Sequence, residues 1–149
     1  MSRYHLAQIN IARFTHPVED PANLDFINNL DRVNTIAEAQ PGFVWRLMGD
    51  GNSAMDIDAY NDPQIAINMS VWTDIEALSA FVYRSLGHRQ IMRRRAEWFE
   101  PKRISFALWW IEAGTLPTIS DAKNRLAHLE KHGPTPSAFI FKHTFTQPD

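Results

Sequence analysis

The hydrophobic pattern between residues 4 and 112 switches period in an order that few folds accommodate. Residues 4–14 alternate, with Leu6, Gln8, Asn10, Ala12 and Phe14 on one side and His5, Ala7, Ile9 and Ile11 on the other, as in a strand. After a loop at Thr15–Pro17, Asp20 and Pro21 have the chemistry of a helix start, and Phe26, Ile27, Leu30, Val33 and Ala37 form a helical stripe that Pro41-Gly42 ends. Phe43–Met48 is a short strand of large residues. A polar connection then leads to Gln64–Trp72, where Ile65, Ile67, Met69 and Val71 alternate with Ala66, Asn68, Ser70 and Trp72. Thr73 and Glu76 have the spacing of a capping box and open a second helix with Ile75, Leu78, Phe81 and Val82 on its stripe, which Gly87 breaks. A further helical piece spans 88–99. Ile104–Ile111 is a strand whose neighbours Trp109 and Trp110 must point to opposite sides. The order β-α-β-β-α-β is the split βαβ, ferredoxin-like pattern of an α+β domain. A third helix over about 119–132, with Ile119, Ala122, Leu126 and Leu129 inward, and a last strand at Ser137–Thr146 extend it.

At 149 residues the chain is expected to form one domain, 1–149, with a core at about 4–112 and an extension at about 113–149. With no cysteine it has neither a thiol nucleophile nor a thiolate metal site, and a net charge of -2 gives no case for nucleic acid. The first residues are broken by Gln8, Asn10 and Arg13, unlike a signal peptide, and no run reaches the ~18 apolar residues of a membrane span. A cytoplasmic location is the expectation.

The strands at 43–48 and 104–111 are apolar on both faces. Helices on one side of a four-stranded sheet leave the other side bare, and a bare apolar face needs a cover. A second copy of the same face is one solution, so a homodimer is expected, although the added helix and strand offer a competing cover within one chain.

Polar residues in unexpected places mark candidate sites. Gln8, Asn10, Asn68 and Ser70 share a sheet face with Trp72, and Asn34 flanks the first helical stripe; neutral amides beside an indole suit a small organic ligand, and equally a hydrated interior. On a helix through 88–99, His88, Ile91, Met92, Arg95, Trp98 and Phe99 share one face. His88 as acid/base and Arg95 as an anion clamp is the functional reading. The structural one is a satisfied His and an Arg paired with Glu97, Glu100 or a carbonyl. His128 and His132, four apart, fit a surface helix C-terminus better than a metal clip, and Asp56, Asp58 and Asp62 lack the spacing of a calcium loop. No metal is expected. No nucleophile elbow is present.

The segments Leu6–Ala12, Asn29–Asn34, Pro41–Arg46, Val71–Leu78, Phe81–Ser85, Arg94–Phe99, Leu108–Trp110 and His132–Pro136 together resemble a bacterial domain-of-unknown-function family (3291) in the dimeric α/β-barrel superfamily. That superfamily includes antibiotic-biosynthesis and haem-degrading monooxygenases. The resemblance implies a barrel closed across a dimer, with a pocket between sheet and helices in each subunit. It also implies positioning roles for Asn10 and Trp72, which match the Asn and Trp of the haem-degrading pattern. That pattern's His falls on Val82, beside Tyr83, and a valine has no lone pair for iron. No cofactor is expected. The readings are a cofactor-independent monooxygenase or isomerase using Asn10, Trp72 and His88, with Arg95, Gln8, Asn34, Asn68, Ser70 and Tyr83 binding the ligand; a non-enzymatic ligand-binding or structural dimer; and a haem protein.

Overall fold

The computed structural model describes residues 3–51, 53–101 and 105–149. The strands are β1 (Tyr4–Arg13), β2 (Phe43–Arg46), β3 (Ile65–Trp72) and β4 (Ser105–Glu112); the helices are α1 (Leu24–Glu38), α2 (Ile75–Arg84), α3 (Leu86–Arg93) and α4 (Ile119–His132). The strands form one antiparallel sheet in the order β2-β3-β1-β4. This is the expected α+β, ferredoxin-like arrangement, and among the described residues no helix is long and apolar enough to cross a membrane. Ile104, expected to start the last core strand, lies outside the described residues.

Local chemistry explains the element ends. Asp20 accepts from the amide of Ala22 and opens a 3-10 turn at Pro21–Asn23 that feeds α1. Gly42 turns the chain from α1 into β2 at φ +89, and a Cβ there would run into Ala77 and Thr73, so both the dihedral and the space require glycine. The cap of α2 is Asp74, whose carboxylate accepts from the amide of Ala77, one residue later than the Thr73 capping box predicts. The break after α2 falls at Ser85, in extended backbone at ψ 120, while Gly87 sits buried inside α3. Gly87 lacks a side chain because Ile36 of α1 occupies that space. The helical piece expected at 88–99 is therefore α3 from Leu86, followed by a 3-10 turn at Arg95–Glu97.

The sheet separates two interiors. On its outer face Ala7, Ile9, Met69, Val71, Ala107 and Trp109 are fully buried against Ala122 and Leu126 of α4 and against Ala54 of the β2–β3 connection. Ile119 and Leu129 of α4 and Ile57 and Ala59 of the connection complete the layer. Lys123 of α4 staples the connection, donating to the carbonyl of Ala59 at 2.8 Å and lying over the Tyr60 ring. The competing cover within one chain is thus the one seen: α4 and the connection bury the centre of this face, while Ile11, Trp45 and Ile111 stay partly exposed.

The inner face carries α1, α2 and α3. Leu6, Trp72, Leu108, Leu78 and Phe81 pack there with Phe139 of the C-terminal segment. That segment is not the regular strand expected at Ser137–Thr146. Phe139 exchanges two 2.8 Å backbone hydrogen bonds with Leu108, and the chain then turns, His143 N–H donating to Ile140. The turn lets Phe141 stack on Phe106 and Phe145 pack edge-on to Phe139. Aromatic packing outweighs a longer ladder here.

Candidate functional site

The inner layer is hollow. A chamber of about 380 Å³ lies between the sheet and α1, α2 and α3. Its ends are aromatic. At one, Phe26 packs on Trp98 and edge-on to Phe99; at the other, Trp72 stacks on Phe81 and meets Phe43 edge-on. Only Asn34 and Ala37 of α1 are buried, because its stripe faces this space and not a filled core.

The floor between the aromatic ends is polar, and the sheet register explains why. Gln8 pairs with Ser70, and Asn10 with Asn68, so four polar side chains stand on two adjacent rungs of one face. Gln8 Nε2 donates to Asn68 Oδ1 and to Ser70 Oγ, both at 2.7 Å. Asn10 Nδ2 donates to Gln8 Oε1 at 3.1 Å and to Asn68 Oδ1 at 3.2 Å, and Trp72 Nε1 donates to Ser70 Oγ at 2.9 Å. The ladder meets the needs of buried Gln8 and Ser70 internally. Among the described residues, Asn10 Oδ1 and Asn68 Nδ2 make no hydrogen bond, leaving an acceptor and a donor for whatever enters.

His88 lines the chamber from α3, tilted against Phe81 at 4.8 Å. Its Nδ1 lies 3.1 Å from the carbonyl of Val82, which can only accept, so Nδ1 carries the proton and Nε2 the lone pair. Burial lowers the His88 pKa from 6.5, against an opposing pull from the Val82 bond, so the ring is neutral at pH 7. Arg95 and Tyr83 sit exposed at the rim. The carboxylates expected to pair with Arg95 are held by other arginines: Arg94 holds Glu97, along with Asp25, and Arg13 of β1 holds Glu100. All nine sequence-derived candidates, Gln8, Asn10, Asn34, Asn68, Ser70, Trp72, Tyr83, His88 and Arg95, line this one chamber.

A family described as a domain of unknown function (DUF3291) matches residues 5–149. The chain belongs to this family. No curated protein matches it. Among solved structures, a conserved protein from Methanosarcina mazei Go1 matches with TM-score 0.54 and 13% identity, over 72% of this chain and 92% of its own. SnoaB, a cofactor-independent oxygenase from Streptomyces nogalater, matches with TM-score 0.51 and 18% identity, over 76% and 98%. A protein assigned as an antibiotic biosynthesis monooxygenase from Nitrosomonas europaea matches with TM-score 0.54 and 11% identity, over 78% and 97%. What is shared is the fold. About a quarter of this DUF3291 chain lies outside each match, about the size of the segment after β4.

Two features of the DUF3291 chamber escape the sequence pattern. Arg46 lines the chamber and is only 7% exposed, with Nε donating to Glu38 at 3.0 Å. Strict alternation from Phe43 would turn Arg46 away from the helices. A bulge at Val44 adds one residue, so that Phe43 pairs with Trp72, Trp45 with Val71 and Arg46 with Ser70. Phe43 and Arg46 therefore face the chamber, while Trp45 packs on the outer core. The second feature is Phe141, brought in by the C-terminal turn to close the rim with Tyr83. Val82, at the iron-ligand position of the haem-degrading pattern, lines the chamber with an isopropyl group, so the chamber does not fit a haem site of that design. His128 Nε2 lies 2.8 Å from Thr135 Oγ1, and its ring packs on His132. Asp56, Asp58 and Asp62 each accept a backbone amide within their loop.

Proposed function

We propose that this protein binds a small organic molecule in the chamber and that His88 moves a proton on it, as in a cofactor-independent oxygenase or isomerase. The observation that carries this reading is that an imidazole with Nδ1 held by the Val82 carbonyl lines the same chamber as the four polar floor side chains, among aromatic and aliphatic groups. Nε2 takes a proton from an acidic C–H or O–H of the ligand and becomes imidazolium. The electron pair stays on the ligand as an enolate or carbanion. Its oxygen would accept from Asn68 Nδ2, which stands on the solvent-exposed part of the floor. Returning the proton to a different atom is isomerisation; bonding of the carbanion to dioxygen, the co-reactant, gives a peroxide anion that takes the proton back from the imidazolium, and at a carbon that still bears a hydrogen this hydroperoxide breaks its O–O bond and loses water to leave a carbonyl. Asn10 and Trp72 position the ligand and do not themselves exchange protons. The fold shared with SnoaB, an oxygenase of this type, supports the reading. All nine residues line the chamber of a single chain.

Native mass spectrometry of the purified protein should show a retained organic ligand. With that ligand, His88→Gln should lower turnover about a hundredfold or more while keeping affinity within a few-fold. Full turnover in His88→Gln would remove the proton transfer and leave a binding protein.

A further inference from the structure

Charge is divided unevenly between the interior of the chamber and its mouth. Of the residues that line it, only Asn68, Tyr83, Met92 and Arg95 are exposed, so these mark where the space opens to solvent. The interior offers no free charge. Among the described residues no carboxylate lines it, Arg46 is committed to Glu38, and His88 is uncharged at pH 7. The mouth differs. The Arg95 guanidinium has no hydrogen bond, ion pair or ring contact among the described residues, because Glu97 and Glu100 are taken by Arg94 and Arg13. Residues 86–97 carry Arg89, Arg93, Arg94 and Arg95 against Glu97 and the Asp25 that Arg94 also holds. The chain as a whole has two more acidic than basic residues, so this local excess is not a reflection of its composition.

We propose that the ligand is an amphiphile bound charge-outward, with an uncharged, largely apolar body in the chamber and a terminal anionic group, carboxylate or phosphate, held at the mouth by Arg95. This rests on the chamber being a ligand site, as proposed above, and adds the class of ligand and the direction in which it enters. An anion carried into the interior would lose its water with no free cation to offset the cost, whereas an apolar body gains by leaving water. Buried Trp72, Phe81, Trp98 and Phe99 supply ring surface for that body. Gln8 and Ser70 are bonded within the floor ladder, so the inner floor accepts an apolar group without stranding them. At the mouth, a guanidinium presents paired N–H donors that match two oxygens of a carboxylate or phosphate. Exposed Arg89 and Arg93 of α3 add attraction as an anionic ligand approaches.

The test uses four probes that share one body: 6-phenylhexanoate, 6-phenylhexyl phosphate, 6-phenylhexan-1-ol and 6-phenylhexylammonium. Binding to the full chain is followed by calorimetry at low salt and at about 0.5 M salt. At low salt at least one of the two acids should bind about fivefold or more tightly than the alcohol, and the stronger acid names the head group. The ammonium should bind more weakly than the alcohol, and the higher salt should erase most of these differences. Arg95→Gln should remove the advantage of the acid while changing alcohol affinity less than about twofold, and Arg95→Glu should turn the preference toward the ammonium. Arg93→Gln, at an exposed arginine that does not line the chamber, should cost the acid a smaller factor. Acids that bind no better than the alcohol, or an advantage that survives in Arg95→Gln, overturn the proposal while the ligand-site reading stands. Failure of all four probes to bind overturns both. Arg95 is exposed, so its variants should unfold in urea at the same concentration as the unmodified chain.

Discussion

On the outer side of the sheet, Ala7, Ile9, Met69, Val71 and Trp109 are sealed under α4, and the layer is filled. On the inner side of the same strands, Gln8, Asn10, Asn68 and Ser70 stand around a space of about 380 Å³. One ladder of backbone hydrogen bonds serves both sides. The difference is that the outer side chains are apolar and complementary to a helix stripe, whereas the inner ones are amides and a hydroxyl under helices that stand off. Protein interiors normally close-pack, so a hollow with a polar floor costs stability relative to a filled core. That cost has a rationale if the hollow is where the chemistry is, and the filled side supplies the rigidity that keeps it open.

The contrast can be broken by substitution, and the largest effect belongs to the filled side. Trp109→Ala leaves a void under α4 and should cost about 3–5 kcal/mol in urea unfolding; a cost below about 1 kcal/mol would show that α4 does not seal this face. An intermediate effect should come from His88. Its folded pKa lies below the 6.5 of the unfolded chain, so between the two values the unfolded state binds a proton that the folded state refuses. Stability should therefore fall as the pH drops below about 6.5 and level off below the folded value, and His88→Gln should flatten this part of the profile. Parallel profiles for the two proteins would place His88 in water, outside the chamber. A smaller change in stability than at Trp109 should come from Asn10→Leu, about 1–2 kcal/mol, because the side chain faces the hollow but its loss leaves the buried Gln8 Oε1 without its donor. Ligand affinity should nevertheless fall by about tenfold or more, since the substitution removes a floor hydrogen bond. A loss of stability as large as that of Trp109→Ala would mean that the two sides are equally well filled.

Periodicity made much of this readable in advance. Two-residue alternation in β1 and β3 assigns Gln8, Asn10, Asn68 and Ser70 to one face, and the register confirms that assignment rung by rung. The α4 stripe was equally plain. Its docking target was not, because periodicity says which side of a helix is greasy and not what it will meet. The expectation of a bare sheet followed from that gap. Arg46 was hidden for a different reason: a bulge changes the phase of a strand without changing its composition. At Ser137–Thr146 the alternating phenylalanines looked like a ladder, but Phe141 and Phe145 are spent on rings of Phe106 and Phe139 instead.

The extra residue at Val44 has a consequence for how this edge of the protein tolerates length changes. Deleting a residue from a regular strand inverts every side chain beyond the cut. Here Val44 is the surplus member, and its side chain is exposed. Without it, Phe43, Trp45 and Arg46 would alternate in the orientations they already hold. The rim of the sheet thus carries a spare link, and a chain shortened there by one residue would keep its arginine aimed inward.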